Sequence, residues 1–334
     1  MYIISSYPLA VFFCIITMLC WGSWGNTQKL AAKNWRYELF YWDYVIGIVL
    51  LSLLFGFTLG SMGEQGRSFT TDLGQVSSAN FWSAIIGGII FNASNILLSA
   101  SISIAGMAVA FPLGVGLALV LGVIINYIST PKGDPVVLFI GVALIVIAII
   151  FNGIASGKMS KGGKKSSSKG IWLAIVAGVL MSFFYRFVAA AMDINNFESP
   201  TPGMATPYTA FFIFAIGMLA SNFVFNTIIM KKPFVDTPVS YKDYFSGSMS
   251  THMVGVIGGL IWGLGTVLSY MASGKAGAAI AYALGQGATM VAAFWGVFIW
   301  KEFKGAGRNV NILLFLMFVL FITGLGLIIA SGGN

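Results

Sequence analysis

Amide, hydroxyl and aromatic side chains recur at helical spacing inside long apolar runs of this sequence. Asn92, Asn95 and Ser99 stand at i, i+3 and i+7, which places them on one helix face. Tyr282, Gln286 and Thr289 make a similar stripe. Trp262, Thr266 and Tyr270 follow one another by a turn, as do Trp24 and Gln28, with Asn26 on a neighbouring face. All can donate or accept hydrogen bonds or stack, and none carries charge. That chemistry suits recognition of a neutral solute with many hydrogen-bonding edges, its flat ring or C–H surface laid against an aromatic face. A cationic ligand would call for a carboxylate deep within one of these runs, and the sequence has none there.

Two charged residues do interrupt the runs. Asp43 lies among Phe40, Tyr41, Trp42 and Tyr44, just inside the second run. A partly desolvated carboxylate there has a raised pKa and could bind and release a proton. Alternatively it is an interfacial aspartate paired with Arg36 or a tyrosine hydroxyl. Arg186 is the only basic residue well within a run. It could hold an anionic group, act on an acid such as Asp43, or snorkel outward to Asp193 about two turns away. Glu302, following the ninth run, reads as a helix cap or a loop salt bridge. These scattered acids and bases form no convergent catalytic set, so an intramembrane enzyme ranks low. His252 is the single histidine, and without a His/Cys/Asp/Glu cluster no metal site is expected. Cys14 and Cys20 are separated by a helical rise of about 9 Å, beyond disulfide reach, and should be free thiols. No cofactor is implied.

The elements that must position these groups are membrane helices. The chain has 334 residues, 58% hydrophobic and 8% charged, against roughly 25% charged in an average globular domain. So few charges cannot cover a water-facing surface, and most of the exterior must face lipid. The 41 glycines suit helices that pack closely in a bilayer. With about 20 apolar residues needed per crossing, the runs give ten spans: 8–29, 39–60, 81–103, 107–129, 136–157, 170–192, 207–230, 252–273, 278–300 and 310–331. The first is kept as a span because it lacks the basic start and small-residue cleavage site of a signal peptide. The net charge of +8 comes from basic residues in the connections, so it reports topology and not nucleic-acid binding. With both termini outside, Lys33, Arg36, Lys158, Lys161, Lys164, Lys165, Lys169, Lys231, Lys232, Lys242, Lys301, Lys304 and Arg308 face the cytoplasm. Only Arg67, Lys132 and Lys275 face out. The Lys/Ser/Gly segment 158–169 then becomes a flexible cytoplasmic linker between halves 1–157 and 170–334.

The halves share a repeat. Residues 87–127 slide onto 258–298 without gaps, matching among others Gly87, Gly88, Ala105, Gly106, Gly114 and Gly116 to Gly258, Gly259, Ala276, Gly277, Gly285 and Gly287. The copies pair spans three and four with spans eight and nine. Each span of one copy is displaced by five spans from its counterpart, an odd number, so the copies insert upside down. The expected fold is an all-α integral membrane protein of ten helices in two inverted five-helix repeats. In secondary transporters that arrangement places the substrate between the halves near the midplane and permits alternating access. Pro112, in span four near Gly114 and Gly116, is a candidate kink beside the cavity.

At this point the residues resemble a known family, the drug/metabolite transporter superfamily in its branch of glucose/ribose porters and plant-type ureide permeases. The resemblance rests on Met1-Tyr2, Trp21-Gly22-Ser23-Trp24, Tyr41-Trp42-Asp43-Tyr44, Asn80-Phe81-Trp82-Ser83 before Gly87-Gly88, and Asn126-Tyr127. It rests also on Pro207-Tyr208-Thr209-Ala210-Phe211-Phe212, and on Phe294-Trp295-Gly296 through Glu302-Phe303 to Ala330-Ser331. It implies a permease in a bacterial-type inner membrane that takes up a sugar, or a ureide or nucleobase, by proton symport. The short 158–169 segment lacks a Gly-x-x-x-x-Gly-Lys-Ser/Thr loop, which removes ATP as a driving force. An exporter of drugs or metabolites on the same scaffold is the alternative.

Overall fold

The computed structural model describes residues 1–31, 35–159 and 168–333. Most of the expected linker, and Lys33, Lys161, Lys164 and Lys165 with it, lies outside the described residues. Among the described residues, ten helices are long and apolar enough to cross a membrane: Tyr7–Ala31, Tyr37–Phe57, Ser78–Ala105, Val109–Ser129, Pro135–Lys158, Ser168–Ala191, Pro207–Lys231, Met249–Ala276, Ala278–Ile299 and Arg308–Ser331. They are spans one to ten below. Each overlaps its expected span. The largest shifts fall on spans two, three and eight, whose ends move by about one turn of helix. The termini follow local chemistry. Ser6, Ser77, Thr206 and Ser248 each cap a helix by accepting a backbone N–H. Pro at the first turn starts spans one and seven.

Gly106 and Gly277, matched in the repeat, each turn one helix directly into the next. Both have φ +82°, a left-handed geometry that a residue with a Cβ adopts only at a cost. Their turns lie at opposite ends of the bundle. Ala105 packs on Gly170, near the start of span six, whereas Gly277 packs on Lys132. The Gly106 end also holds the Lys29–Glu302 ion pair and the bonds from Arg36 to Thr237 and from Lys169 to Phe234. Most of the described basic residues gather there, and it is called the basic end. At the other end, Arg67 reaches Asp72 at 2.7 Å and the carbonyl oxygens of Pro200 and Met204, tying two loops together.

Packing between spans keeps its pattern when the first five are exchanged for the last five. Span three packs on six and span eight on one; span two packs on eight and span seven on three; spans five and ten pack on each other. The closest approaches run through glycine. A Cβ on Gly88 would sit 3.0 Å from Met218 N and 3.1 Å from Gly217 Cα. One on Gly259 would sit 2.9 Å from the Tyr44 carbonyl carbon and 3.0 Å from Gly47 Cα. Spans five and ten meet at Gly141 and Gly324, each abutting the other's carbonyl oxygen. Small residues at such crossings let backbones touch, which supplies van der Waals attraction where lipid offers no hydrophobic drive.

Two spans are interrupted. Span one is a helix over Tyr7–Ser23 and a second over Gly25–Ala31. Span nine breaks at Gly287 and ends in a π-helical turn, Trp295–Ile299, after which Lys301 takes φ +53°. Span four, by contrast, runs as one helix through Pro112. The repeat-related span nine is interrupted, without a proline.

Adding one methyl group at a backbone crossing should cost about 1–3 kcal/mol through overpacking. Gly259→Ala and Gly88→Ala should accordingly lower the melting temperature of the detergent-purified protein by several degrees. Gly326→Ala, at a site with open space around it, should leave it unchanged. Equal melting temperatures in all three variants would refute the crossings as points of tight fit.

Candidate functional site

All eleven residues singled out for solute binding are buried in the bundle. Four of them, Trp24, Asn95, Trp262 and Gln286, line one central cavity. Its remaining wall is mostly apolar, with Trp21, Phe91, Phe111, Met181 and Phe184 the largest contributors. Phe91 and Trp262 occupy matched positions of the repeat and stack on each other, ring centroids 4.2 Å apart and planes inclined by 28°. Trp262 also lies nearly parallel to Trp21, at 5.9 Å and 10°. Trp21 is held by its Nε1–H, which donates to Thr266 Oγ1 at 3.1 Å. Thr266 thus orients the aromatic slot. Trp24 packs on Tyr44 at 4.9 Å.

The spans that build this slot carry buried polar atoms without partners, and of their residues Asn95 lines the cavity itself. Gln28 Oε1, Asn92 Oδ1, Asn95 Nδ2, Ser99 Oγ and the Tyr44 and Tyr270 hydroxyls are buried and unpaired. Leaving such an atom unmet costs about 1–3 kcal/mol. The other atom of these amides is engaged. Gln28 Nε2 donates to the Ser99 carbonyl at 3.1 Å, and Asn92 Nδ2 to Ser221 Oγ at 3.0 Å. Asn95 sits beside the Tyr41 and Tyr44 rings. Gln28 and Asn92 are therefore each fixed at one amide atom and free at the other.

The other candidates are braces. Tyr282 spends its hydroxyl on the carbonyl oxygens of Ala118 and Met181, at 3.1 and 3.3 Å. Tyr270 packs edge-on against Tyr185 and Phe214 on the side away from the basic end. Thr289 lines a second cavity, towards the basic end, with Pro112, Trp300 and Glu302. The central cavity measures about 20 Å³, room for about one water. The pocket is too small for any of the solutes considered.

At the basic end the distal half of span one is laced to span nine. Trp295 Nε1 donates to Ser23 Oγ at 2.9 Å, Trp300 Nε1 to Asn26 Oδ1 at 2.7 Å, and Lys29 Nζ to Glu302 Oε1 at 2.6 Å. Lys29 also lies over the Trp300 ring. Glu302 is thus a salt-bridge residue, as its position suggested. At the opposite end a cavity of about 150 Å³ is lined by Asn195, Asn196, Glu198 and Lys275 above Met271.

Asp43 is buried, and its partner is not Arg36, which pairs instead with Glu38 at 2.6 Å. Asp43 accepts from Tyr244 at 2.6 Å and from Trp35 at 3.1 Å, and lies 2.8 Å from His252 Nδ1. Burial first, and then the Asp43 carboxylate, push the Tyr244 hydroxyl above its usual pKa, which keeps it a donor. Arg186 is exposed and does not line the central cavity, so the structure does not bring it to Asp43. Asp193 accepts from Thr201.

Sequence reading missed Trp21, Phe91 and Phe184, which look like any other core aromatic in an apolar run. It also passed over Asn222, buried on span seven with neither amide atom paired. Asn222 stands one turn from Asn226, which bonds the Glu38 carbonyl at 2.8 Å. A buried-amide stripe on span seven (222, 226) was the available signal.

The chain matches the model of the ureide permease family over residues 40–169 and 156–331. It is 24% identical to Ureide permease 1 of Arabidopsis thaliana and 23% identical to Ureide permease 2 of the same plant, with all of each chain covered. It is 21% identical to a putative sugar uptake protein of Lactiplantibacillus plantarum, over 92% of this chain and 94% of that one. One solved crystal structure is similar over 96% of both chains, with a TM-score of 0.58 and 14% identity, which shows a shared fold.

An exposed ion pair contributes up to about 1 kcal/mol, or roughly a fivefold population shift. Glu302→Gln should therefore raise, by about threefold, the labelling rate of a cysteine installed at Thr289 by a maleimide applied from the basic side. Combining Lys29→Glu with Glu302→Lys should bring the rate back. A rate insensitive to both changes would show that this lacing does not restrain the basic end.

Proposed function

We propose, from the premise that this chain belongs to the ureide permease family, that it is a secondary carrier for a small neutral polar solute. A ureide or nucleobase stands first. The observation that carries this reading is the aromatic slot of Trp21, Trp262 and Phe91 with the free amide edge of Asn95 in its wall. A flat ring slides between parallel aromatic faces, and its N–H and C=O edges match the mixed donors and acceptors of fixed amides. Similarity to a putative sugar uptake protein supports a monosaccharide as the second solute class.

A cavity that holds one water cannot hold either solute, so binding must part the rings and transport must open the bundle at each end in turn. The packing pattern and the two opposed glycine turns support two inverted five-helix repeats of the drug/metabolite transporter kind, working by alternating access. The divisions are 1–157 and 170–334. The excess of basic residues at one end supports a cytoplasmic basic end and both termini outside, in a bacterial-type inner membrane. Span one's and span nine's discontinuities support a basic-end gate made from their distal halves. Uptake is proton-coupled, with Asp43 as the acid. Arg186 serves as an interfacial anchor.

A thermal-shift screen of the purified protein against allantoin, nucleobases, pentoses and hexoses identifies the solute. For the solute so found, Asn95→Ala and Gln286→Ala should each weaken binding by about 1 kcal/mol or more, about fivefold in Kd, with normal expression. Unchanged affinity in both variants would remove the pocket. In right-side-out vesicles an imposed inward proton gradient should accelerate uptake by the native protein and not by Asp43→Asn. Solute efflux in place of uptake would instead support the exporter.

A further inference from the structure

The single histidine lies against the buried aspartate of span two. His252 Nδ1 is 2.8 Å from Asp43 Oδ1, an oxygen that also accepts from the Tyr244 hydroxyl; Trp35 Nε1 donates to Oδ2. The counter-charge in contact with this carboxylate is therefore His252, which is charged only when protonated. Among the described residues, the other charged groups on the surrounding elements are turned elsewhere. Arg36 faces Glu38 and Asp236, and Asp243 closes a capping box with Ser240. Lys242, on the same short helix as Tyr244, is exposed. A buried carboxylate facing a neutral imidazole keeps its full desolvation penalty, and one facing an imidazolium does not.

The site has a rigid body and a separable cover. Spans two and eight, which carry Asp43 and His252, are locked by the backbone contact of Gly259 with Tyr44 and Gly47. Glycine also makes room for the pair itself. A Cβ at Gly255 would fall 3.2 Å from Asp43 Oδ2, and one at Gly247 would fall 2.8 Å from His252 Nε2. The cover is Trp35. Its backbone N–H bonds the carbonyl of Ala31, the last residue of span one's distal helix, at 2.9 Å. That helix is the one laced to span nine. The Asp43 side chain is 2% exposed and that of His252 20%, so the way to water runs past His252 at the basic end.

We propose that Asp43 and His252 together bind one proton, and that Trp35 uncovers the pair when span one's distal helix swings away from span nine. This rests on the carrier reading above and deepens it. In the closed state the proton sits on the imidazole as Nδ1–H donating to Oδ1, and the pair is neutral overall. On opening, the proton passes from His252 to water at the basic end. A neutral imidazole remains, with a carboxylate still held by Tyr244 and newly met by solvent. The closed state therefore holds the proton more tightly than the open one. By linkage, acid on the basic side favours closure and alkali favours opening. His252 is a positioning and proton-holding residue and does not touch the solute.

The test fixes external pH and clamps internal pH in right-side-out vesicles. Initial uptake by the native protein should rise about threefold or more between internal pH 6 and pH 8, the interval in which histidine is the side chain that ordinarily titrates. His252→Gln should flatten that ratio to near one with solute affinity retained. Trp35→Phe, which keeps the ring and loses the donor, should reduce it. An unaltered ratio in His252→Gln overturns the proposal. A second readout needs no transport. The change in melting temperature of detergent-purified protein over the same pH interval should be smaller in both His252→Gln and Asp43→Asn than in the native protein, and no smaller when the two are combined. If that signature is present while no solute is taken up at any pH, the carrier reading fails and the proton site stands. If it is absent in all variants, the proton site fails whatever is transported.

Discussion

Backbone contact through glycine sets the geometry on which the rest depends. Gly88 and Gly259 bring spans three and eight hard against spans seven and two. Three residues further along each helix come Phe91 and Trp262. Because the two glycines are repeat-related and the helical advance is the same, these rings arrive at equivalent places and meet each other. A larger side chain at either glycine would push its helix outward and pull the rings apart. The central slot is thus a consequence of two close crossings, and its aromatic floor lies where the two halves of the chain join.

The polar groups follow a different logic. In an apolar body each buried amide must be met or must bear a penalty. Here the glutamine of span one and the asparagines of span three are half met. One amide atom of Gln28 and of Asn92 is fixed by a carbonyl or a hydroxyl and the other is left free. Fixing one edge removes the side-chain entropy that a ligand would otherwise have to freeze, so the free edge is preorganised. Aromatic closure works against the ligand, since the slot is shut and must be parted. Parting it forfeits stacking that a flat ligand can restore and that a small aliphatic one cannot. In the proposed carrier, selectivity would come from what replaces the lost ring contacts, with the amides fixing orientation.

Much of this was legible from residue order. Ten apolar runs, the Ala105–Gly116 repeat and the stripe from Asn92 to Ser99 all follow from periodicity, because a bilayer leaves the backbone few choices beyond the helix. The stripes proved to be buried faces, but periodicity could not separate a ligand edge from a brace. Tyr282 and Gln286 lie one turn apart; the first is tied to two carbonyls and the second lines the cavity. Span nine is interrupted at Gly287 and by a π-turn without any proline, so no breaker residue announced it. His252 and Asp43 are 209 positions apart. No local pattern joins them, and a lone histidine at a span boundary carries no signal until the fold supplies its neighbour.

The two ends of the bundle are closed by different means, and the difference gives the repeats different work. Away from the basic end the seal is made of fully buried rings, Tyr185, Tyr270, Phe211 and Phe214, packed edge to face across continuous helices. Such packing yields only when whole helices tilt. At the basic end the seal is three discrete polar contacts, made by Ser23, Asn26 and Lys29 of span one, with helix breaks in spans one and nine that would absorb the proposed motion. Hydrogen bonds and an exposed ion pair exchange readily with water, so this end can open with little loss of dispersion contact. The bundle is thus closed by an apolar plug at one end and a polar latch at the other. The proton-holding pair sits behind the latch, where water enters first when it releases.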